Sequence, residues 1–486
     1  MKIIMQYDPC VFKFTELRTE KLIEGLFYNV DQERAKPDII IWETHRFLPS
    51  ECENQNTDDY LQFRDRGLDM MRLILDETHK RGIKAYWHYR FSEVDRSWSD
   101  PGKRNAVKTA HPDWVIKTWT EEGLWNLASE ELQQFKLDYI RKIMTQYDFD
   151  GICVDYLRHL PCLPVGRQWE YRDCATDFMA KLKTVMDSMN REIQVGAKLP
   201  ENGKSCQIDG FDLETWCDRK LVDFVVAGSR TIDVDVRWFK QLADGNGIAV
   251  YPCWDTWHSS DAYHWQPEAF YRGVFANWIA QGADGIVGFN YISVPKNLRE
   301  NWCSPGNLNR DFTDFYRQVK AAQDPETAKI FVAERRGGYP YCTGAGGTNT
   351  FAPLPLSIPN IGAAAEVPVK VPENCSGKKV TLRLVLSNAK EGKDSFLVWI
   401  NGKEISTVTA DFHHIDALIH WPERQRFSGA GYCYTDHPAE LLELKAEIPT
   451  EWMLQGVNTV AVTPVRLGFV GCDDVINVER TEISVE

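Results

Sequence analysis

The sequence predicts an α/β protein: a (β/α)8 TIM barrel followed by an all-β, jelly-roll-like sandwich domain. Three observations predict it. Short runs that are apolar throughout, such as Ile39-Ile40-Ile41-Trp42 and Gly285-Ile286-Val287-Gly288-Phe289, recur between Lys2 and Phe289 with helical stretches between them. Strands buried on both faces belong to parallel sheets. The alternation of strand and helix persists over about 320 residues, enough for a barrel. After that the helical periodicity stops, and short strand-like runs follow turns rich in Gly, Pro, Thr and Asn. A chain of 486 residues is too long for one ordinary core. The expected division is a barrel over 1–325 and a sandwich over 326–486.

Lys2–Tyr7 reads as the first strand, with Asp8 and Pro9 beyond it. A helix over Glu16–Tyr28 follows, with Thr15 placed to cap it. Pro37–Glu43 is the second strand, and its end carries Glu43, Thr44, His45 and Arg46. One long amphipathic helix is expected over Asp58–Arg81, closed by Gly82. Lys84–Arg90 is the third strand and carries Trp87, His88 and Arg90. The segment from Phe91 to Leu127 is long, polar and aromatic, and loops of that length in a compact domain are usually functional.

A helix over Ser129–Tyr147 leads to the fourth strand, Gly151–Val154, whose end presents Asp155, Tyr156, Arg158 and His159. After a helix over Trp169–Asn190, Ile193–Glu201 is strand five, with Lys198 and Glu201 at its end. Val222–Ala227 is strand six, with Ser229 and Arg230 just past it. Ile248–Pro252 is strand seven and leads to Trp254, Asp255 and Trp257. The helix Pro267–Gln281 precedes strand eight, Gly285–Phe289, tipped by Asn290 and Tyr291. In the second domain Val380–Leu386, Ser395–Ile400 and Thr459–Val462 read as strands, Asn401-Gly402 is a hairpin signal, and the first strand begins as early as Ile330.

A net charge of −14 without a long basic run argues against nucleic-acid or anionic-membrane partners. No apolar run reaches the length of a membrane span. The N-terminus lacks a secretory signal, so the expectation is a cytoplasmic protein, or a secreted or periplasmic one whose signal lies outside the sequence. The 13 cysteines are scattered with no C-x2-C pair, and they read as reduced and structural. HExxH, P-loop and GxGxxG motifs are all missing, so neither a metal nor a cofactor is expected. Aromatic residues make up 12% of the chain, which suits sugar-binding clefts, where pyranose C–H faces pack on rings. The oligomeric state is left open.

Trp125-Asn126-Leu127-Ala128, then a helix, then Tyr147-Asp148-Phe149-Asp150-Gly151-Ile152-Cys153-Val154-Asp155-Tyr156 resembles the glycoside-hydrolase-like barrels related to family 10. Those barrels carry a W-L-N-P turn followed by Y-D-V-D-G-I-x-x-D. Gly82-Ile83-Lys84-Ala85-Tyr86-Trp87 is similar to their third-strand pattern, and Gly285–Tyr291 to their last strand. The resemblance covers about residues 1–320. It implies a glycosidase with Asp155 as a catalytic carboxylate, and the sandwich is similar to carbohydrate-binding modules attached to such hydrolases. Tyr156 stands where the family often has a second acid, and Ala227-Gly228-Ser229-Arg230 replaces its P-Q-x-Y.

Glycoside hydrolysis needs two carboxyl groups about 5–9 Å apart, supplied by different strand ends of one barrel face. Asp155 is the first candidate. Asp255, bracketed by Trp254 and Trp257, and Glu201, near Lys198, rank next and nearly equal, with Glu43 behind them. The plainer alternatives are a helix cap for Asp255 and a solvated surface acid for Glu201. His45, His88, Arg90, Tyr156, Arg158, His159, Lys198, Arg230, Asn290 and Tyr291 are candidate substrate-binding residues, or charge partners of neighbouring acids. Trp42, Trp87 and Trp254 are candidate sugar platforms or barrel core, with core the safer reading for mid-strand Trp87, and Trp257 is a further candidate substrate-binding residue. The function expected is hydrolysis of a glycosidic bond in an oligo- or polysaccharide. The alternative is a barrel that binds carbohydrate without cleaving it.

Overall fold

Eight strands, β1 (Lys2–Tyr7), β2 (Ile39–Glu43), β3 (Lys84–Arg90), β4 (Gly151–Asp155), β5 (Gln194–Leu199), β6 (Phe224–Ala227), β7 (Ala249–Trp254) and β8 (Gly285–Phe289), close into a parallel barrel. Each pairs with its neighbours in sequence, and β8 returns to β1. The computed structural model describes residues 1–7, 19–94, 102, 104–118, 120–229, 231–255, 267–289, 291, 312–335, 351–358, 361–414, 440–468 and 475–486. The period-2 alternation of a strand sends successive side chains to opposite faces. One set, including Ile4, Ile41, Tyr86, Cys153, Phe224, Tyr251, Cys253 and Phe289, packs together inside the barrel. The other set, including Trp42, Trp87, Val154, Leu199 and Trp254, joins the larger core under the helices.

The helices carry one correction. The stretch read as a single helix over Asp58–Arg81 is two, α2 (Asp58–Asp65) and α3 (Met70–Lys80), after α1 (Thr19–Asp31). Gly67 adopts φ 70°, a left-handed conformation that ends α2, and the side chain of Asp69 accepts from Arg72 N at 3.0 Å to start α3. Hydrophobic spacing runs across the break because both helices bury apolar side chains against the same core. Gly82 closes α3 as expected, with φ 64°. Thr15 lies outside the described residues.

Two antiparallel sheets follow the barrel. One contains β9 (Lys329–Val332), β10 (Leu356–Ile358), β12 (Val380–Ser387), β15 (Thr409–His414), β16 (Glu440–Glu447) and β18 (Ile476–Val485). The other orders β11 (Ala365–Val371), β17 (Gly456–Arg466), β13 (Ser395–Ile400) and β14 (Lys403–Glu404). Asn401 and Gly402 both take positive φ, 51° and 76°, between β13 and β14, as a two-residue hairpin requires.

The barrel helix Glu268–Ala280 packs directly against β9. A Cβ placed on its Gly273 would lie 2.0 Å from Ile330 O, so only glycine permits this approach.

Candidate active site

Side chains that continue the inward set past the end of the hydrophobic interior converge at the C-terminal mouth. On β3, Tyr86 faces inward and His88 and Arg90 share its face; on β4, Cys153 is followed by Asp155; on β1, Ile4 is followed by Gln6. Register places Glu43 beside His88, Arg90 beside Asp155, and Asp155 beside Lys198. These residues form one network. His88 Nε2 lies 2.9 Å from Asp155 Oδ2, and its Nδ1 is in ion-pair contact with Glu43. Arg90 donates from Nε to Glu43 at 2.7 Å and pairs with Glu93. Lys198 donates from Nζ to Gln6 Oε1 at 3.0 Å and sits 4.6 Å from the Phe289 ring centroid. The Gln6 amide nitrogen lies 3.1 Å from His88 Nε2.

Asp155 is the centre of this network. Its Oδ1 accepts from Leu157 N at 2.8 Å and Arg158 N at 3.1 Å, so the carboxylate also orders the turn after β4. Burial opposes its charge, but Lys198, then His88 and Arg90, outweigh it and hold the carboxyl well below its usual range. Glu43 behaves alike: Arg90 and His88 overcome the burial penalty and lower it. Burial opposes the His88 imidazolium too, but Glu43 and Asp155 raise it above the ordinary value. The mouth therefore sets two carboxylates on either side of one imidazole whose protonated form they favour, with an Arg and a Lys beside them. Arg158, Ser229 and Phe289 complete the depression that these charges line. Ordered cations and anions in a recess can donate to and accept from hydroxyl groups without rearranging.

The other expected residues divide by the same alternation. Asp255 is buried one residue past β7 and continues the inward series Tyr251–Cys253, although it is not among the residues that line the depression. Burial pushes the Cys253 thiol up to about 11, with Lys198 opposing and Asp255 and Asp155 adding to it, so both acids act on one interior group. Glu201 lies two residues past β5, fully buried beside the helix Gly203–Asp209, and is not among the residues that line the depression. Ser205 Oγ and Asn202 Nδ2 donate to it at 2.8 and 3.0 Å. It is not a solvated acid, and burial pushes it up to about 7.

Trp87 packs on the helix side, with Nε1 donating to Thr44 at 2.8 Å, and Trp254 packs against Phe270, Tyr271, Phe275 and Trp278. Tyr156 is buried outward against Phe91, Phe211 and Trp216. His159 turns its Nδ1 to Ser92 O at 2.9 Å, and Tyr291 packs on Phe315. None of these lines the mouth depression. His45 is exposed at the rim. Arg230, Trp257 and Asn290 lie outside the described residues. In the long segment after β3, Trp114 and Trp125 are core, and the Lys108 and Lys136 ammonium groups each sit 5.1 Å from the Trp125 ring centroid. Leu157, Ser229 and Phe289 line the depression and Gln6 accepts from Lys198 beside it; the sequence reading selected none of the four. Among the described residues no group of three His, Cys, Asp or Glu could hold a metal ion.

The fold is a closed parallel (β/α)8 barrel with a charged mouth, and part of it matches a known family. Residues 38–164, which include β2, β3, β4 and the Asp155 turn, match the model of the family described as Glycosyl hydrolase-like 10. The protein named Glycosyl hydrolase YngK from Bacillus subtilis (strain 168) is 20% identical over 271 residues, 52% of this chain and 51% of that protein. The chain thus spans about half the length of the curated relative it matches.

Two solved structures are similar at low scores. One is a β-galactosidase from the psychrophilic Marinomonas ef1, with 10% identity, 66% of this chain and 59% of that one covered, and a TM-score of 0.42. The other is a GH27 β-L-arabinopyranosidase from Geobacillus stearothermophilus, with 8% identity, 96% and 98% covered, and a TM-score of 0.39. Neither bears on the chemistry at this mouth.

Proposed function

We propose that the chain is a glycosidase that cleaves an oligo- or polysaccharide at the barrel mouth, with Asp155 and Asp255 as its carboxylate pair. The observation that carries this is Asp155, a buried carboxylate kept ionised by Lys198 and His88 at the centre of a recess lined with hydrogen-bonding groups. An oxocarbenium-like transition state needs a fixed negative charge beneath it, which Asp155 supplies as nucleophile or base. Asp255 is assigned the proton-donor role, because it continues the inward face of β7 whereas the Glu201 carboxylate is bonded to Asn202 and Ser205. Lys198, Arg90 and Arg158 are assigned to substrate hydroxyls.

One observation favours the alternative, a barrel that binds carbohydrate without cleaving it. Both oxygens of Asp155 already serve the protein itself, one held by His88 and the other by two backbone N–H groups. Release of reducing ends from a broad glycan panel separates the two. Wild type cleaves at least one glycan, and Asp155→Asn and Asp255→Asn each lower the rate about 10²–10⁴-fold. Cleavage unaffected by either substitution refutes the pair, and binding without cleavage establishes the alternative.

A further inference from the structure

A second recess lies between the barrel and the following sheets, and it shares no lining residue with the mouth. It offers about 190 Å3 of water-accessible space, well beyond the room one water needs. Its walls are pinned. Glu334 accepts from Ile232 N and Asp233 N at 2.9 and 2.8 Å, and Trp278 Nε1 donates to Ile232 O at 3.0 Å. Asn277 Nδ2 donates to Lys370 O at 3.1 Å, and Lys370 Nζ pairs with Asp233 at 2.5 Å. These bonds join the loop after β6, the helix Glu268–Ala280 and β11, so the recess is formed in advance. Pockets of that kind concentrate at domain junctions.

We propose that this junction is a second carbohydrate site, one that anchors a neutral glycan beside the mouth; the ligand class rests on the glycosidase reading above. The chemistry is that of a neutral polyhydroxylated ring. The Asp233–Lys370 pair cancels its own charge yet is about 40% exposed on both sides, leaving donors and acceptors for hydroxyls. The amides of Asn277 and Gln281 add planar polar groups. Phe351, 44% exposed on the same wall, offers an apolar ring for sugar C–H groups, with Lys204 Nζ 5.3 Å from its centroid. An anionic ligand would meet Asp233 and Glu334, and a cationic one Lys370. Asp233 is four residues from Ser229 on the rim of the mouth, at most about 14 Å of extended chain. A glycan held at the junction therefore lies within a few rings of Asp155.

The test is calorimetric binding of neutral hexasaccharides, β-1,4-linked glucose, xylose, mannose and N-acetylglucosamine, to the full chain carrying Asp155→Asn. Phe351→Ala added to it removes an exposed ring and leaves the seam's hydrogen bonds in place; Lys370→Met is the second junction variant. The expected result is a glycan whose binding weakens about tenfold or more in both, while cleavage of a trisaccharide by chains carrying only a junction change stays near wild type. Hexasaccharide binding unchanged by both junction variants overturns the second site while leaving the mouth reading intact. Binding to none of the four sugars, with cleavage of one of them present, also overturns it.

Discussion

His88 and Asp155 meet across adjacent strands at 2.9 Å, with side chains 1% and 5% exposed, so a hydrogen-bonded pair that becomes an ion pair when His88 is protonated lies at the floor of the barrel mouth. Neither partner is stable there alone. A buried ion keeps its charge only when a partner repays its desolvation. Glu43 and Arg90 extend the pair, which explains why four charged side chains are tolerated above an apolar barrel interior.

Asp155→Asn is therefore expected to destabilise the fold as well as stop turnover. The amide retains an acceptor for Leu157 N and Arg158 N but offers His88 Nε2–H no anion. A loss of about 1–3 kcal/mol in chemical denaturation is expected, together with a fall in the His88 titration midpoint followed by NMR. An unshifted midpoint contradicts the ion pair.

The pH dependence has a definite window. A raised histidine contributes stability that is complete below its ordinary value of 6.5 and lost as pH climbs through the folded value. Lowered carboxylates contribute above their ordinary 3.8 and 4.5 and lose that contribution as pH falls through their folded values. All three contribute together between pH 4.5 and 6.5. The stability gap between wild type and Glu43→Gln is expected to be widest there in urea titrations at stepped pH, and to narrow on both sides.

Glu201 gives the opposite sign. Its folded value near 7 exceeds the ordinary 4.5, so the folded chain binds more protons than the unfolded one between these values, and stability falls as pH rises. The fall totals up to about 3 kcal/mol at roughly 1.4 kcal/mol per pH unit. Glu201→Gln should remove that slope, so the variant gains on wild type from pH 5 to pH 8. Parallel urea midpoints at the two pH values rule this out.

Gly273→Ala tests the seam. The new methyl would lie 2.0 Å from the Ile330 carbonyl oxygen, which cannot rotate away, and the cost is expected at about 1–3 kcal/mol. Calorimetry should show a lowered transition, and limited proteolysis faster cutting near β9. Wild-type behaviour in both would mean that helix and strand are not held this closely in solution.

The barrel was legible because each strand is an apolar run bounded by turn residues, and observed strands β3 and β8 coincide with the expected ones. The site was legible only as a set of strand ends. Which side chains face the mouth depends on the alternation from the apolar interior outward: Cys153 to Asp155 and Gly196 to Lys198 point in, whereas Leu199, Val154 to Tyr156 and Trp254 point to the helices. Applying that period to Ile4 also selects Gln6, a polar residue at the mouth end of β1. The break at Gly67 is not legible in the sequence because hydrophobic spacing continues through it, and only the left-handed turn ends the helix.

The most direct measurement is a crystal structure of the Asp155→Asn chain with a glycan that it binds and wild type cleaves. The account predicts the scissile oxygen at the mouth, between position 155 and the Asp255 carboxyl, with Lys198 Nζ hydrogen-bonded to a sugar hydroxyl. A scissile bond bound anywhere else, or flanked by position 155 and an acid other than Asp255, would contradict it.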